Sequence, residues 1–284
     1  MNYSHIGLLI KEIRLNKNFT QEYVSKNIMS QSSYSKFEKG ETDIGSTKLI
    51  YILEKLQINY YEFQEMIKTE QRVLKIYKKF SEIRYNNATQ LKEILREALA
   101  LNACIDNIAL EDLINISKAL IIINEKNDII LARKYGINVW ENLKKHDKWY
   151  YNEICLINAI LFIFPLETAV YISEKAIDSL KKSELKEAEE LSLNIQANLI
   201  LLYIKKRELL IAHKSLDILI EECKNKKMFM QLAVCYSRKG IVLRLLKKRG
   251  WLECCGEALK LLEALGLDSL KRDVVEEVYF YFEE

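Results

Sequence analysis

Residues 20–41 have the sequence TQEYVSKNIMSQSSYSKFEKGE, and this stretch decides the fold of the N-terminal part of the chain. Thr20 is a good helix N-cap because its hydroxyl can accept a hydrogen bond from a first-turn amide, and a short helix is expected to about Asn27. Ser30 caps a second helix in the same way, and Gly40 ends it. The stretch therefore predicts two short helices joined by a tight turn.

The flanking segments complete a small helical domain around this stretch. Apolar residues before it recur at helical spacing and predict a helix over 6–16. Two further helices are expected at 46–56 and 60–67. Within the central stretch, the apolar side chains are expected to form the core between the two helices: Val24, Ile28, Tyr34 and Phe37. The sequence thus predicts a five-helix domain over residues 1–67.

The central stretch resembles the Cro/repressor-like helix-turn-helix. That family's pattern is T-Q-E-x-L-A, a tight turn, and S-x-S-x-[IL]-S-[RK]-[IF]-E-[RK]-G, and residues 20–41 match it at several chemically distinct positions. Arg14 stands where the family usually has an arginine on its first helix. One departure is the turn over 27–30, which is a residue shorter than the commonest form and lacks its glycine. The resemblance implies a DNA-binding domain.

The same residues suggest which side chains contact DNA. The second helix of such a motif enters the major groove, where polar side chains at its N-terminal end meet base edges. Glutamine can pair bidentately with adenine, and a residue that opens the preceding helix can hold a backbone phosphate. The alternative is a solvated surface, and Glu38 is expected to cap or to form a salt bridge. The predicted DNA-binding residues are Arg14, Gln21, Gln31, Ser32, Ser33, Ser35 and Lys36.

The remainder of the chain is poor in the residues that make turns. The whole chain has 1 proline and 8 glycines in 284 residues, whereas average usage would give roughly 14 and about 20. Hairpins need such residues at fixed places, so an all-α protein is expected. Helices are predicted near 69–84, 88–102, 107–124, 127–146, 148–163, 166–182, 185–205, 208–225, 228–248, 250–265 and 268–282.

Many helices with short links favour a helical repeat over a single bundle. A shift of 40 residues aligns Asn158 with Asn198 and then Arg238, each followed by an apolar stretch. The pattern is similar to tetratricopeptide repeats, although it is longer than their usual 34 residues. We therefore expect a linker helix over 68–84 and a right-handed tetratricopeptide-like array over 85–284, with a concave groove suited to a peptide.

The combination of the two parts resembles the Rgg/MutR branch of the peptide-responsive RNPP regulators. The run SQSSYSKFEKGE at residues 30–41 and the segment at 61–63 are similar to that branch in particular. The resemblance implies a cytoplasmic homodimer that regulates transcription at an inverted-repeat DNA site. It also implies quorum sensing, with a short hydrophobic signalling peptide bound in the repeat groove, and RNA polymerase as a further partner.

In the resembled family, asparagines of the inner repeat helices hold the peptide backbone. An Asn carboxamide can both donate and accept, which suits the unpaired amides and carbonyls of an extended ligand. Asn158 and Asn198 occupy equivalent repeat positions, and Asn194 lies one helical turn before Asn198. Asn152 and Arg238 are weaker candidates for peptide binding. A structural hydrogen bond is the alternative at each position.

Composition excludes several other classes of protein. The net charge is only +3, so no global basic field indicates a nucleic-acid partner. Within the N-terminal segment, an excess of three positive charges in residues 1–40 meets an equal negative excess in residues 41–67. No apolar run reaches 18 residues and no signal peptide opens the chain, so we expect a cytoplasmic protein without a membrane partner. No metal or cofactor is expected, because the cysteines and histidines lack ligand spacing. Nucleotide-binding, esterase and zinc-protease motifs are missing, so an enzyme has little support.

Two functions remain open at this point. The first is a DNA-binding regulator controlled by a peptide. The alternative is a Cro-like regulator whose helical repeats serve dimerisation or other protein contacts without a peptide ligand.

Overall fold

The computed structural model describes residues 4–66, 72–83, 87–105, 107–183 and 185–282, and every regular element in these ranges is a helix. The chain forms two compact units, Met1–Gln71 and Arg72–Glu284, which we call unit 1 and unit 2. The predicted all-α fold is therefore confirmed. None of the described helices combines the length and the apolar character needed to cross a bilayer.

Unit 1 has the five helices that the sequence predicts. They are α1 (Ser4–Asn16), α2 (Gln21–Ser25), α3 (Gln31–Glu38), α4 (Ser46–Lys55) and α5 (Tyr60–Met66). The two predicted caps are present, because the Thr20 hydroxyl accepts from the Tyr23 amide at 3.1 Å and the Ser30 hydroxyl from the Ser33 amide at 3.2 Å. These bonds fix where α2 and α3 begin.

The turns of unit 1 depend on left-handed residues. Gly40 has φ 76° and closes α3, with its amide donating to Phe37 O at 2.9 Å. The turn between α2 and α3 lacks a glycine, and Asn27 takes the left-handed conformation there with φ 68°. Six other non-glycine residues among those described share this conformation, all just after helix ends: Asn18, Gln57, Asn127, Arg207, Lys227 and Lys247.

The core of unit 1 is formed by buried side chains from all five helices. Its largest fully buried side chains include Tyr34, Ile52 and Phe63. α1 and α3 approach closely at Gly7, where a Cβ atom would lie 1.8 Å from the backbone oxygen of Phe37. Only glycine is compatible with this crossing, which brings α1 against the helix that carries the predicted DNA contacts.

Unit 2 is a series of helices whose bounds follow the predicted series closely. They are α6 (Arg72–Ser81), α7 (Ala88–Asn102), α8 (Ile108–Lys126), α9 (Ile129–Leu143), α10 (Tyr151–Ile160), α11 (Leu166–Leu180), α12 (Lys186–Lys205), α13 (Leu209–Asn225), α14 (Phe229–Leu245), α15 (Trp251–Ala264) and α16 (Asp268–Phe282). The helix predicted over 148–163 is shorter. It starts after Trp149, whose indole donates to Leu143 O at 2.8 Å, and a 3-10 turn replaces its last three residues.

The helices of unit 2 form two layers. Each helix packs on the next, and short links make neighbours antiparallel. In addition, α8, α10, α12, α14 and α16 pack side by side in one layer, and these helices run in the same direction. The first residues of α11, α13 and α15 are Leu166, Leu209 and Trp251, so the helix pairs recur at a little over 40 residues, as the sequence pattern indicates.

One sequence expectation concerns the start of unit 2. The segment 68–84, expected to be a linker, contributes α6, which buries Ile76, Tyr77 and Phe80 in the core of unit 2. The Tyr77 hydroxyl donates to Ala109 O at 2.8 Å. Residues 68–71 and 84 lie outside the described residues. Pro165, the single proline of the chain, is the N-cap residue of α11 and lies directly after the 3-10 turn.

Candidate functional site

A buried ion pair connects the first and third helices of unit 1. Arg14 on α1 donates from Nε to Glu38 Oε1 at 2.6 Å and from Nη2 to Oε2 at 2.9 Å. Its remaining amino group donates to Phe19 O at 2.8 Å. The two side chains are only 9% and 1% exposed. Arg14, which the sequence predicts as a DNA contact, is thus buried inside unit 1 and holds α3 against α1.

The charges of this pair stabilise each other. Burial raises the pKa of Glu38, but the hydrogen bonds from Arg14 and Gln21 outweigh it, so the pKa of this carboxyl lies below its ordinary value. The hydrogen bond to Glu38 also raises the pKa of the Arg14 guanidinium. Both groups therefore remain ionised at neutral pH. The salt bridge expected for Glu38 is confirmed, whereas its partner was not predicted.

A chain of hydrogen bonds runs from this pair to the protein surface. Gln21 Nε2 donates to Glu38 Oε2 at 2.7 Å, and Gln31 Nε2 donates to Gln21 Oε1 at 2.8 Å. Gln31 is exposed at the N-terminal end of α3, and it lines a shallow cleft with Thr20, Gln21 and Glu22. The buried carboxylate thereby orients two of the predicted DNA-binding side chains before any ligand is present.

The other predicted side chains of α3 have different surroundings. Ser32 and Ser33 are exposed, and their hydroxyls lie 3.2 and 2.7 Å from the Ser30 hydroxyl. Lys36 is exposed one helical turn further along, whereas Ser35 is half-buried. We call Gln21, Gln31, Ser32, Ser33 and Lys36 the recognition face.

In unit 2, polar side chains connect successive helices of one layer. Asn198 on α12 donates from Nδ2 to Asn158 Oδ1 on α10 at 3.0 Å. Gln231 on α14 donates from Nε2 to Asn194 Oδ1 at 3.3 Å and to Glu190 Oε1 at 3.2 Å, both on α12. Except for buried Gln231, these side chains are half-buried. Three of these carboxamides, Asn158, Asn194 and Asn198, are predicted from the sequence, whereas Gln231 is not. Its separation of 37 residues from Asn194, close to the repeat length, is the pattern that could have indicated it.

Arg238 connects three helices of the same layer. It donates from Nε and Nη2 to the Glu277 carboxylate at 2.9 and 3.4 Å, and from Nη1 to Ala197 O at 2.7 Å. Arg238 is 4% exposed, so its charge is balanced within unit 2 by a carboxylate of α16. We call Asn158, Asn194, Asn198, Gln231 and Arg238 the polar seam.

Asn152 is not part of this seam. It lines a cavity at the start of α10 together with Trp149, Tyr151, Lys148 and Lys182, and no residue of the polar seam lines that cavity. The side chain is half-buried. Of the five predicted peptide-binding residues, the structure thus brings four together across α10, α12 and α14 and leaves Asn152 apart.

One buried carboxylate of unit 2 lacks a cationic hydrogen-bond partner among the described residues. Asp112 on α8 is 4% exposed and accepts a hydrogen bond from Asn142 Nδ2 at 2.9 Å. Burial raises the pKa of Asp112, and the hydrogen bond from Asn142 offsets only part of this effect. No three His, Cys, Asp or Glu side chains converge on a possible metal position in the described part of the chain.

Comparison with protein families assigns both parts of the chain. The C-terminal domain of the HTH-type transcriptional regulator Rgg matches residues 114–276, which is more than half of the chain. A helix-turn-helix family matches residues 10–63, which cover α2, α3 and the buried ion pair. A comparison with curated protein sequences finds no match.

Solved structures with this fold cover nearly the whole chain. The SHP pheromone receptor Rgg2 of Streptococcus dysgalactiae superposes with a TM-score of 0.72 at 18% identity, covering 97% of this chain and 99% of its own. A transcriptional regulator from Listeria monocytogenes gives 0.75 at 19%, covering 98% and 97%. PlcR of Bacillus thuringiensis, crystallised with the peptide PapR7 and DNA, gives 0.69 at 19%, covering 96% and 99%. At these identities, the likeness concerns the fold.

Proposed function

The chain belongs to the Rgg family of helix-turn-helix transcriptional regulators, and we propose that a short signalling peptide controls its binding to DNA. Family membership makes it a DNA-binding regulator rather than an enzyme. In the proposed function, the protein acts in the cytoplasm as a homodimer on an inverted repeat. Two-fold symmetry then requires half-sites about one DNA turn apart, or a multiple of one turn.

The hydrogen-bonded series from Glu38 to Gln31 is the observation that supports the DNA-binding site. It orients Gln21 at the start of α2 and Gln31 at the start of α3, where an exposed carboxamide can pair with a base edge in the major groove. Ser32 and Ser33 present hydroxyls beside it, and Lys36 supplies a cation for a phosphate. Arg14 acts as a positioning residue, since it contacts Glu38 and not the surface.

The recognition face can be tested by single substitutions. Gln31→Ala should weaken binding to a duplex selected by the wild-type protein from a random pool, by about 1–3 kcal/mol for a lost bidentate base contact. Thr47→Ala, at an exposed position on α4, is the matched control. Fluorescence anisotropy titrations measure both. Unchanged affinity in Gln31→Ala and in Ser32→Ala would remove the recognition face from the proposal.

The polar seam supports a peptide site. An extended peptide carries unpaired amides and carbonyls, and the carboxamides of Asn158, Asn194 and Asn198 can donate to one and accept from the other. Their half-buried positions suit a ligand that is removed from water. The likeness of the fold to a pheromone receptor and to a regulator crystallised with a peptide also favours this assignment. A peptide would exchange the Asn158–Asn198 hydrogen bond for bonds to its own backbone.

Calorimetry distinguishes this function from its alternative. Synthetic peptides from the short reading frames beside the gene are titrated into the full chain. We expect one of them to bind, and Asn198→Ala to weaken it by at least about tenfold, which corresponds to about 1.4 kcal/mol. Asn225→Ala, at an exposed position at the end of α13, is the control.

The existing pairing of the seam carboxamides favours the second candidate, in which the repeats serve dimerisation or contacts such as those with RNA polymerase. If that candidate is correct, calorimetry should detect no binding of any of these peptides.

Light scattering of the full chain at several concentrations tests the homodimer independently. A monomer in the DNA-bound state would contradict the proposed two-fold site.

A further inference from the structure

Positive charge is concentrated in one segment of unit 2. Residues 205–249 contain 13 lysines and arginines but only 4 aspartates and glutamates, although the whole chain has a net charge of only +3. Two runs with the same sequence, Lys-Lys-Arg, begin and end this segment at 205–207 and 247–249. The rest of the chain is therefore acidic on balance, and the charge distribution is strongly segregated.

The fold places the two runs on the same edge of unit 2. One lies at the end of α12 and the other just after α14, and these two helices pack side by side in the same direction. Packed helices have axes about 8–10 Å apart, so the two turns are neighbours. Each run includes a left-handed residue that ends its helix, Arg207 with φ 61° and Lys247 with φ 55°. All six side chains are exposed, and we call them the basic edge.

On the opposite edge, one lysine has two anionic partners. In the turn between α13 and α14, Lys226 lies 3.1 Å from a Glu222 oxygen and 3.6 Å from a Glu189 oxygen. On the basic edge, by contrast, the side chains of four residues form no ion pair or hydrogen bond with any described residue: Lys206, Lys247, Lys248 and Arg249. Clustered like charges repel one another, so a polyanion would relieve the repulsion at this edge.

Unit 1 lacks a comparable excess of charge. Residues 1–71 contain 9 lysines and arginines and 9 aspartates and glutamates. Attraction to DNA at a distance depends on cations that replace the counterions of the phosphates, and unit 1 contributes no net charge to it. We propose that the basic edge of unit 2 binds the phosphodiester backbone of DNA, as a sequence-independent contact that adds to those of the recognition face.

The salt dependence of DNA binding tests this contact. Lys247, Lys248 and Arg249 are replaced together by glutamine, and affinity for a 40-base-pair duplex of random sequence is measured by anisotropy between 50 and 200 mM salt. If three phosphate contacts are lost, the slope of log K against log salt decreases in magnitude by about 2.7. Over this fourfold range of salt, wild-type affinity should then fall about 40-fold more than that of the variant.

A second triple variant controls for net charge. Glutamine replaces Lys214, Lys227 and Lys260, which are exposed elsewhere on unit 2, so the total charge changes equally. The proposal requires the wild-type slope in this control. Equal slopes in the two triple variants would overturn it.

Two other polyanions are tested in parallel, namely vesicles of phosphatidylglycerol and polyglutamate. A loss confined to the vesicles or to polyglutamate, with DNA binding retained, would also overturn the proposal. The first result would assign the edge to a membrane surface, and the second to an acidic protein segment. Because the DNA duplex has a random sequence, neither outcome depends on the operator contacts of Gln31.

Discussion

Unit 1 gathers its polar contacts around a single buried carboxylate, whereas unit 2 distributes them singly between successive helices. Glu38 binds Arg14 and Gln21 at once, and the series ends at Gln31 on the surface. In the polar seam of unit 2, each side chain joins only two or three helices, and its partners are 37 to 41 residues apart in the chain. A single substitution at Glu38 therefore disrupts the whole network of unit 1, which we call the centred network. A single substitution in the distributed contacts of unit 2 removes only the contact between two or three helices.

The largest expected effect follows removal of one partner from the centred network. Arg14→Ala leaves the carboxylate of Glu38 buried without its cation, and unit 1 should lose about 3–5 kcal/mol of unfolding free energy. Urea titrations followed by far-UV circular dichroism measure this change. All 3 tryptophans lie in unit 2, at positions 140, 149 and 251, so their fluorescence reports the second unit separately.

The double variant Arg14→Met with Glu38→Met tests whether the stability lost in Arg14→Ala comes from the unpaired buried charge. Replacement of both charges by apolar groups of similar size is often nearly neutral, so most of the lost stability should return. DNA affinity should stay low, because Gln21 no longer has the carboxylate that orients it. A double variant as unstable as Arg14→Ala would show that the pair is not the centre of the network.

A smaller effect is expected at the most connected joint of unit 2. Arg238→Met removes the bonds to Glu277 and to Ala197 O and should cost about 1.5–3 kcal/mol, typical of hydrogen bonds to charged groups. Glu277 is 15% exposed in the present structure, so water can solvate it after the substitution. Tryptophan fluorescence in urea gives the change. A loss as large as that of Arg14→Ala in unit 1 would contradict the distributed arrangement.

The joint between α10 and α12 should be weaker still. A double-mutant cycle of Asn158→Ala and Asn198→Ala measures the coupling between the two carboxamides, expected at about 0.5–1.5 kcal/mol without peptide. With a bound peptide, the coupling should vanish if the ligand replaces this hydrogen bond. Persistence of the coupling in the complex would place the peptide elsewhere.

The smallest expected effect concerns pH, where the two units should respond in opposite directions. The pKa of Glu38 is lowered on folding, so its contribution to unit 1 is complete above the ordinary glutamate pKa of 4.5 and is lost as pH falls through the folded value. The pKa of Asp112 is raised, so its ionisation destabilises unit 2, and this penalty is relieved as pH falls through its folded pKa. Asp112→Asn should slightly raise the urea midpoint of unit 2 at pH 7, and it should abolish the gain in stability that acid gives this unit.

Unit 1 was predictable from sequence because its signals are local. The caps Thr20 and Ser30 act on amides three residues away, and the helix ends they set agree with the structure. The ion pair was not predictable to the same degree, since Arg14 and Glu38 are 24 residues apart and each resembles a surface residue by type. Burial of Arg14 follows from the close crossing at Gly7, which no local pattern expresses.

In unit 2, the sequence predicts the positions of the helices and some residues of the polar seam. The bounds of α7 are those expected, and the 40-residue shift that pairs Asn158 with Asn198 corresponds to a hydrogen bond in the structure. The same shift gave no reason to pair Gln231 with Asn194, or Arg238 with Glu277. Those contacts depend on the stagger between stacked helices, which composition and periodicity leave undetermined.

The left-handed residues that end helices have a consequence for adaptation. A non-glycine residue in this conformation costs roughly 1–2 kcal/mol relative to glycine, and 7 such residues occur in the described part of the chain. Substitution by glycine would relieve part of that strain. In an organism that adapts to higher temperature, single substitutions of this kind would raise the free energy of unfolding. At Asn18, Gln57, Asn127 and Lys227 such changes would leave the proposed contacts with DNA and peptide untouched. At Arg207 and Lys247, selection for heat tolerance would compete with the charge of the basic edge.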